Sequence, residues 1–461
     1  MTAADSPGGA PMKRVAVACV AGTAVEFYDF VIYGTAAALV FPTVFFPRLG
    51  PTVATVASIG TFAAAFLSRP LGAVVFGYWG DRLGRKKTLV ATLLIMAVST
   101  VMVGMVPSAA TIGAAAPLIL ISLRLLQGFA VGGEWAGSAL LSAEYAPADK
   151  RGRYGMFTPV GAGIAVVLAS LIFLAVNHTI GEHSPAFMQW GWRIPFLISA
   201  GLIVIAVYVR VNIDETPVFA REKARENTPN EAPEAPLIEI IRLESREIAL
   251  ATGSIVGFLG LTYMSTTFLT ADARAHLGYS RDLILSAGLL GGLASIASIA
   301  LSASLSDRVG RRRMMLVGAT GCLAWSFVVM PLIDSGEPIL FVAAMVGMHA
   351  IAGVGFGPAP SFIPELFATR YRYTGTALAS NLAGIVGGAL APVLAGTLLT
   401  TYGSWVIGFM LAVLVMVSLV CIYLLPEPGG ISFASQCIRA RGAEAEDSRQ
   451  LACRASLSTM P

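Results

Sequence analysis

Long apolar runs separated by short polar turns set the organisation of this chain. Each run is close to the roughly 20 residues that an α-helix needs to cross a hydrocarbon core of about 30 Å. The pattern predicts six membrane-spanning helices, a polar gap and then six more. The predicted spans cover residues 15–42, 53–79, 88–106, 117–141, 155–177 and 190–211, followed by 248–271, 283–305, 314–333, 339–366, 375–400 and 404–425.

Composition changes what the length alone would suggest. From its length alone, a chain of 461 residues would be expected to fold into about three soluble domains. With 56% hydrophobic and only 13% charged residues, we expect an all-α, multi-pass membrane protein instead. The predicted domains are a cytoplasmic tail (1–14), a six-helix bundle (15–211), a cytoplasmic linker (212–247), a second six-helix bundle (248–425) and a cytoplasmic tail (426–461).

The basic residues predict the orientation. With the first residue inside, the inner segments, together with Arg210 at the inner end of the sixth span, hold 25 of the 31 Lys and Arg residues, whereas the outer loops hold three. Because Lys and Arg collect in cytoplasmic loops, both termini are predicted to be cytoplasmic, in a plasma (inner) membrane. The net charge of +4 is therefore explained by the basic residues of the cytoplasmic segments, and no nucleic-acid partner is expected.

Two sequence motifs recur in the same order in both halves of the chain. Asp81 begins an Asp-Arg-x-Gly-Arg turn that is repeated at Asp307, and a Glu followed seven residues later by Arg occurs at 144–151 and again at 365–372. Basic inner turns occur in any polytopic protein, but that alone does not predict matched patterns. The repeats indicate two parallel units related by an axis along the membrane normal, a plan found in transporters.

These residues resemble the major facilitator superfamily and, more narrowly, its metabolite:proton symporter family. The turn at Gly77, Asp81, Arg82, Gly84, Arg85 and Lys86 is similar to the superfamily's signature between helices 2 and 3. The narrower resemblance is carried by Glu26-Phe-Tyr-Asp-Phe30, Arg69-Pro-Leu-Gly72, Arg124-Leu-Leu-Gln-Gly128, Gly132-Gly-Glu-Trp135 and Trp190-Gly-Trp-Arg-Ile-Pro195. The resemblance implies the major facilitator fold, in which twelve helices form two pseudo-symmetric six-helix bundles.

The resemblance also implies a gate on the inner side. It assigns Asp81, Arg82 and Arg85 to a charge relay that latches this gate in one state. The residues alone indicate no more than a salt-bridged turn, which could also touch anionic lipid. With the repeated motifs, the predicted gating residues are Asp81, Arg82, Arg85, Glu144, Arg151, Asp307, Arg308, Glu365 and Arg372.

Charged side chains inside the predicted spans are the candidates for function. An ionised group at the bilayer centre is costly, by at least about 2.5 to 3.5 kcal/mol, so each one requires a reason. Glu26, Asp29 and Tyr33 share one face of the first helix. Two carboxylates one turn apart in a low dielectric resist ionising together, so one of them could take up a proton near neutral pH. We predict Asp29, Glu26 and Glu134 as proton-coupling residues; the alternative is that arginines hold both carboxylates of the first helix as packing struts.

Arg124 in the fourth helix supplies the opposite charge. A guanidinium stays ionised and grips a carboxylate through two parallel hydrogen bonds, so Arg124 is predicted to hold an anionic substrate. The alternative is an internal salt bridge to Asp29 or Glu134. The predicted substrate-binding residues are Arg124, Gln127, Tyr33, Tyr263 and Asn381.

The absence of several sequence motifs excludes some possible energy sources. The chain has no phosphate-binding G-x-x-x-x-G-K-[ST] loop, no zinc-ligand spacing and no nucleophile paired with a base. We therefore expect no enzymatic activity, no cofactor and no metal. An ion gradient remains as the driving force, and one charge moving down 100 mV supplies about 2.3 kcal/mol.

The function predicted from these observations is proton-coupled symport of a small carboxylate-bearing metabolite by alternating access. The expected partners are the substrate, protons and membrane lipid, with no obligate protein partner. A zwitterion such as proline or betaine is the alternative substrate, because aromatic residues of the first helix could hold a quaternary ammonium. A gated channel or a non-transporting receptor is the alternative from another class.

Overall fold

A computed structural model of the protein describes residues 12–83, 85–181, 184–211, 240, 242–367 and 372–427. Both ends of the chain and most of the segment between its halves lie outside the described residues. The division into tails, linker and bundles at the boundaries given above therefore stays a prediction.

The described residues form twelve helical spans in the predicted order, which we number 1 to 12. The first half contains span 1 (Met12–Leu39), span 2 (Pro51–Leu83), span 3 (Arg85–Met105), span 4 (Ala115–Val131 and Glu134–Tyr145), span 5 (Phe157–Ile180) and span 6 (Ile194–Val211). Short helices and 3₁₀ turns connect them at Phe41–Phe45, Ala109–Ile112, Ala148–Lys150, Arg151–Gly155, Pro185–Gln189 and Gly191–Arg193.

The second half has the same order of spans. It contains span 7 (Ser245–Tyr263, a π-helical stretch Met264–Leu269, and Thr270–Ala275), span 8 (Arg281–Val309), span 9 (Arg311–Asp334), span 10 (Pro338–Phe356 and Ala359–Glu365), span 11 (Arg372–Ala383, a π-helical stretch Gly384–Leu390, and Ala391–Tyr402) and span 12 (Trp405–Leu424).

Ten of the spans are long and apolar enough to cross a membrane. The other two have shorter apolar helices: Val90–Met105 in span 3, and Gly191–Val204, which combines the turn before span 6 with most of that span. The prediction of an all-helical, multi-pass membrane protein is confirmed, and the helices are consistent with twelve crossings.

The two halves meet along equivalent helices. Span 5 packs against span 8, span 2 packs against span 11, and span 1 packs against the end of span 7 that leads into span 8. A shift of six spans relates the 5–8 contact to the 2–11 contact, as expected for two parallel repeats. The interface between the bundles therefore runs through spans 1, 2, 5, 7, 8 and 11, with span 4 contacting spans 10 and 11.

Glycines let spans 2 and 4 approach closely. A Cβ atom added at Gly128 would lie 2.0 Å from the Ala65 carbonyl oxygen, and one at Gly132 would lie 2.2 Å from the Arg69 carbonyl oxygen. Small residues at a helix contact allow backbones to pack directly in a membrane, where lipid offers no hydrophobic driving force. The position of Arg69 relative to span 4 therefore depends on these glycines.

Gly72→Ala is expected to destabilise the protein, because its Cβ would lie 1.8 Å from the backbone oxygen of Phe129. The helices must separate, which costs roughly 1 to 3 kcal/mol by analogy with overpacked cores. Gly60→Ala, in the same span, is the matched control, since nothing lies within 4 Å of its added Cβ. Thermal unfolding in detergent should give a lower Tm for Gly72→Ala and an unchanged or higher Tm for Gly60→Ala; equal Tm values would contradict the packing.

The spans at the interface depart from regular α-helix. Span 4 is interrupted at Gly132 and Gly133, and spans 7 and 11 each contain a π-helical stretch. Carbonyls at such an interruption can accept hydrogen bonds from other segments. The Gly132 oxygen accepts a hydrogen bond from Asn381 Nδ2 at 2.6 Å, and the Gly133 oxygen accepts one from the Tyr373 hydroxyl at 2.7 Å. The break in span 4 therefore ties the first bundle to span 11.

Candidate functional site

A fully buried ion pair lies inside the first bundle. Arg124 NH1 of span 4 is 3.4 Å from Asp29 Oδ2 of span 1, and the two residues are 0% and 1% exposed. Gln127 Nε2 and the Thr100 hydroxyl donate hydrogen bonds to Asp29 Oδ1 at 3.0 and 2.5 Å. Arg124 also donates to Gln127 Oε1 at 3.0 Å. The predicted alternative of an internal salt bridge from Arg124 to Asp29 is confirmed.

Aromatic rings surround the remainder of the Arg124 guanidinium. Its central carbon lies 4.1 Å from the ring centroids of Phe30 and Tyr33 and 5.2 Å from that of Phe62. Its Nε and NH2 atoms donate no hydrogen bond to any described residue. A desolvated cation over an aromatic face gains roughly 2 kcal/mol. The rings thus stabilise the charge of Arg124 independently of Asp29.

A cavity between the two bundles lies beside this pair. It encloses about 430 Å³, including the space at its mouth. The first bundle contributes five lining residues and the second contributes seven. They are Glu26, Phe27, Arg69, Val131 and Trp135, followed by Ile255, Leu259, Tyr263, Phe356, Ser380, Asn381 and Gly384. The wall is mainly apolar and aromatic, with a few convergent polar groups, as in small-molecule sites.

Arg69 supplies the positive charge of the cavity wall. It is 8% exposed, and its guanidinium carbon lies 4.1 Å from the centroid of Phe30 and 4.4 Å from that of Phe66. Its side chain is a hydrogen-bond partner of Tyr263 across the bundle interface. Within the described part of the chain, its Nε atom has no hydrogen-bond partner. An anion that enters the cavity would meet this guanidinium on its wall.

The predicted substrate-binding residues fall into two groups. Tyr263 and Asn381 lie on the cavity wall, although the Asn381 amide nitrogen is engaged by the carbonyl of span 4. Arg124, Gln127 and Tyr33 belong instead to the buried network, where the Tyr33 hydroxyl donates to Thr61 Oγ1 at 2.8 Å. The ion pair and the cavity are thus neighbouring but distinct sites.

The predicted proton-coupling carboxylates are likewise separated. Asp29 belongs to the ion pair, whereas Glu26, one turn earlier in span 1, lines the cavity. Glu134 is 1% exposed and begins the second helical segment of span 4. The first helix therefore carries one carboxylate to each site.

An inner latch, formed by Asp307, Gly152 and Arg153, joins the halves at the end predicted to be cytoplasmic. Asp307, near the end of span 8, accepts hydrogen bonds from the backbone N–H groups of Gly152 and Arg153 at 2.7 and 2.9 Å. Such charge-assisted bonds are stronger than neutral ones. The Asp307 carboxylate therefore holds the start of span 5 against the end of span 8.

An arginine pair reinforces this end. Arg151 NH1 lies 3.3 Å from Glu365 Oε1, which joins the two halves, and Arg311 pairs with the other oxygen of Glu365. Arg372 is buried and donates from Nε to the Pro364 carbonyl at 2.9 Å, while Arg308 is exposed. The side chains of Asp81, Arg82, Arg85 and Glu144 lie outside the described residues, so their gating roles stay predictions.

An outer latch, formed by Asn177, His178 and Asp282, joins the halves at the other end. Asn177 Nδ2, near the end of span 5, donates to Asp282 Oδ1 at 2.6 Å, and His178 Nε2 lies 3.9 Å from Asp282 Oδ2. Asp282 and Asp307 stand near opposite ends of span 8, and each contacts one end of the segment containing span 5. The bundles are therefore in contact at both ends of the cavity.

Substituting the latch aspartates is expected to open opposite ends. Asp307→Asn removes a charged acceptor, which weakens bonds worth about 1.5 to 3 kcal/mol and shifts the population toward inner opening by roughly 10- to 100-fold. Asp282→Asn should favour outer opening. The reporter is Ser380→Cys in the cavity, in a chain without its five native cysteines. The rate of its labelling by a thiol reagent should rise from the inner side in Asp307→Asn and from the outer side in Asp282→Asn. Identical labelling of both variants would contradict the assignment.

Several contributors to the site were not predicted from the sequence. Arg69 is an intramembrane charge, so the reasoning applied to Arg124 would have found it. Thr100 and Asn177 are uncharged groups in apolar helices and carry no signal in a single sequence. Their roles emerge from the contacts between spans.

The family profile described as Major Facilitator Superfamily matches residues 20–392. The chain is 41% identical over 421 residues to the inner membrane metabolite transport protein YhjE of Escherichia coli, covering 90% of this chain and 94% of that one. It is 38% identical to the shikimate transporter of Escherichia coli (85% and 89% covered) and 34% identical to the proline/betaine transporter of Salmonella typhimurium (84% and 78% covered).

Solved structures with the same fold include the proton:xylose symporter XylE. The match to XylE bound to 6-bromo-6-deoxy-D-glucose has a TM-score of 0.71 at 17% identity and covers 92% of this chain and 98% of that chain. A partially occluded, inward-open form of XylE from E. coli matches with a TM-score of 0.69 at 17% identity over 90% and 98%. The resemblance proposed from the sequence motifs is thereby confirmed. This chain belongs to the Major Facilitator Superfamily and is a multi-pass membrane transporter.

Proposed function

We propose that this protein is a proton-coupled symporter that carries a small carboxylate-bearing metabolite into the cell by alternating access. The observation that carries the proposal is the pairing of two sites in the first bundle. One is the buried Asp29–Arg124 ion pair, and the other is the cavity arginine Arg69. The first suits a proton and the second suits an anion.

Asp29 is the proposed proton carrier. In a buried ion pair, each charge compensates the other. Removing one partner commonly costs about 3 to 5 kcal/mol of stability, because the remaining charge is left buried and uncompensated. Here the rings around Arg124 offset part of that cost. Asp29 can therefore be neutralised by a proton while Arg124 keeps its charge in place.

The cavity supports a small organic acid as cargo. Arg69 offers a guanidinium that can grip a carboxylate, and Tyr263, Ser380 and Asn381 offer neutral polar groups. The aromatic wall favours a compact molecule with an apolar body. The shikimate transporter among the relatives is named for such an acid.

A zwitterion such as proline or betaine is the second candidate substrate. Glu26 and Arg69 present opposite charges to the same cavity, and Phe27, Trp135 and Phe356 line it. Aromatic faces bind quaternary ammonium groups. One of the relatives is named as a proline/betaine transporter, and betaine contains a quaternary ammonium group.

Alternating access would proceed by opening one latch while the other stays closed. We assign the inner latch and the Arg151–Glu365 pair to the cytoplasmic gate, together with Asp81, Arg82 and Arg85. The charge pattern supports an orientation with both termini in the cytoplasm. The name of the YhjE relative supports a location in the inner membrane.

Uptake into proteoliposomes tests this proposal. Labelled shikimate, citrate, 2-oxoglutarate, proline and betaine are supplied with and without an imposed inward proton gradient. At least one acid should accumulate above its external concentration only with the gradient, because a pH gradient of about 1.7 units, equivalent in energy to 100 mV, supports roughly 50-fold accumulation of a monoanion carried with one proton. Accumulation of a zwitterion alone would favour the second candidate. Non-saturating flux that ignores the gradient would indicate a channel, and no uptake of any compound would indicate a receptor.

A further inference from the structure

One aromatic side chain contacts both charged sites of the first bundle. The Phe30 centroid lies 4.1 Å from the guanidinium carbon of Arg124 and 4.1 Å from that of Arg69. Phe30 follows Asp29 directly in span 1 and is 1% exposed. The arginine of the ion pair and the arginine of the cavity therefore share one buried ring, and their centres are separated by at most twice that distance.

We propose that Phe30 couples proton binding to substrate binding, by keeping water out of the space between Arg124 and Arg69. This inference rests on the proposed function, since it takes Asp29 as the proton site and a carboxylate as the cargo. It adds a positioning residue that touches neither the proton nor the substrate.

The sign of the coupling follows from the charges. With Asp29 ionised, its charge compensates that of Arg124, and Arg69 experiences little field from the pair. When Asp29 takes up a proton, the charge of Arg124 is no longer compensated, and the positive potential at Arg69 rises. A bound carboxylate is then held more tightly. By thermodynamic reciprocity, a bound carboxylate favours the protonated form of Asp29 to the same degree.

The ring matters because screening depends on the medium. Two unit charges interact several times more strongly at the effective dielectric of a protein interior than in water. A large ring that fills the gap keeps the interaction strong, whereas a water-filled gap would weaken it. Phe30→Ala should therefore uncouple the sites, and Phe30→Leu, which keeps most of the apolar volume, should retain part of the coupling.

Other ionisable groups near span 1 have separate surroundings. Span 1 and the spans packed against it carry several other buried ionisable groups. They are Glu26, Tyr28, Tyr33, Arg69, Arg124, Glu134, Tyr263 and Asp272. Among the carboxylates of these spans, Asp29 contacts Arg124, and Glu26 lines the cavity. Glu134 begins the second helical segment of span 4, and Asp272 is hydrogen bonded to His276. Among the described ion pairs, Arg124 pairs only with Asp29. Asp29 is thus the proton site expected to act through Phe30.

Neighbouring rings provide matched controls, because each contacts one arginine among the described cation–π contacts. Phe66 lies 4.4 Å from the guanidinium carbon of Arg69, and Phe62 lies 5.2 Å from that of Arg124. Phe62→Ala and Phe66→Ala remove rings of the same size from the same cluster. They are expected to alter affinity while leaving its pH dependence in place.

The test is the affinity of purified protein for labelled shikimate and 2-oxoglutarate between about pH 5.5 and pH 8, where carboxylates of these acids stay ionised. Wild type should bind at least one of them about 10-fold more tightly at the lower pH. Phe30→Ala should lose that pH dependence, Phe30→Leu should keep part of it, and the Phe62 and Phe66 variants should keep it. Thermal unfolding without ligand reports whether each variant is folded.

The outcomes separate the two proposals. If wild type binds an acid with pH-dependent affinity and Phe30→Ala does so equally, the role of Phe30 is overturned while symport stands. If wild type shows no pH-dependent binding and no gradient-driven uptake of either acid, the proposed function falls and this inference with it. If all three alanine variants lose the pH dependence, the ring cluster acts as a whole and the specific assignment to Phe30 is wrong.

Discussion

Asp29→Asn is expected to abolish accumulation of substrate while leaving exchange of substrate across the membrane intact. Asn resembles the protonated carboxylic acid in shape and charge, so the variant should bind and reorient but should release no proton. With a pH gradient of about 1.7 units imposed, the ratio of internal to external substrate should fall from roughly 50-fold, for a monoanion carried with one proton, to about unity. Counterflow of labelled against unlabelled substrate in proteoliposomes measures the exchange that remains.

Asp272→Asn is the matched control for this prediction. Asp272 is also a buried carboxylate in a membrane span, but its partner is His276, 2.7 Å away, in the second bundle. It should retain gradient-driven accumulation. Loss of both accumulation and counterflow in Asp29→Asn would assign Asp29 a structural role and remove it from proton coupling.

Arg69→Lys is expected to weaken binding of an anionic substrate by about 10- to 100-fold. A hydrogen bond to a charged group contributes about 1.5 to 3 kcal/mol, and an ammonium cannot reproduce the planar fork of a guanidinium. An uncharged amide of the same acid should lose much less affinity. Binding of both compounds to purified wild type and variant, measured by calorimetry, checks the difference.

Arg193→Lys provides the comparison. Arg193 also lies in the first bundle, where its NH1 atom donates to the carbonyls of Gly104 and Val106 at 2.7 Å each. It does not line the cavity described here. Its substitution should affect stability without selective loss of the anion. Equal losses for the anion and the amide in Arg69→Lys would contradict the assignment of Arg69 as the carboxylate site.

The sequence was sufficient to predict the helices and the ion pair as one of two alternatives for Arg124. Hydrophobic runs predict spans because the membrane requires every backbone group to be satisfied within a helix. Carboxylates and arginines in such runs stand out because they are costly there. Charge and depth made Asp29 and Glu134 the two possible partners of Arg124, and the structure shows the pair with Asp29.

The division into an ion-pair site and a cavity could not be predicted in the same way. Whether Arg69 or Arg124 faces the second bundle depends on the rotation of spans 2 and 4, which the glycine contacts fix. The bonds from Asn381 and Tyr373 to span 4 depend on a local break at Gly132 and Gly133. Both features arise from contacts between distant segments, so a single sequence does not report them.

Proton movement driven by the substrate is the direct test of symport. Proteoliposomes contain a pH-sensitive dye, no pH gradient is imposed, and shikimate or 2-oxoglutarate is added outside. We expect at least one of these acids to acidify the lumen with wild type and neither to do so with Asp29→Asn, although the variant still exchanges substrate. Acidification of equal size with both proteins, or substrate entry by wild type without any acidification, would contradict this expectation.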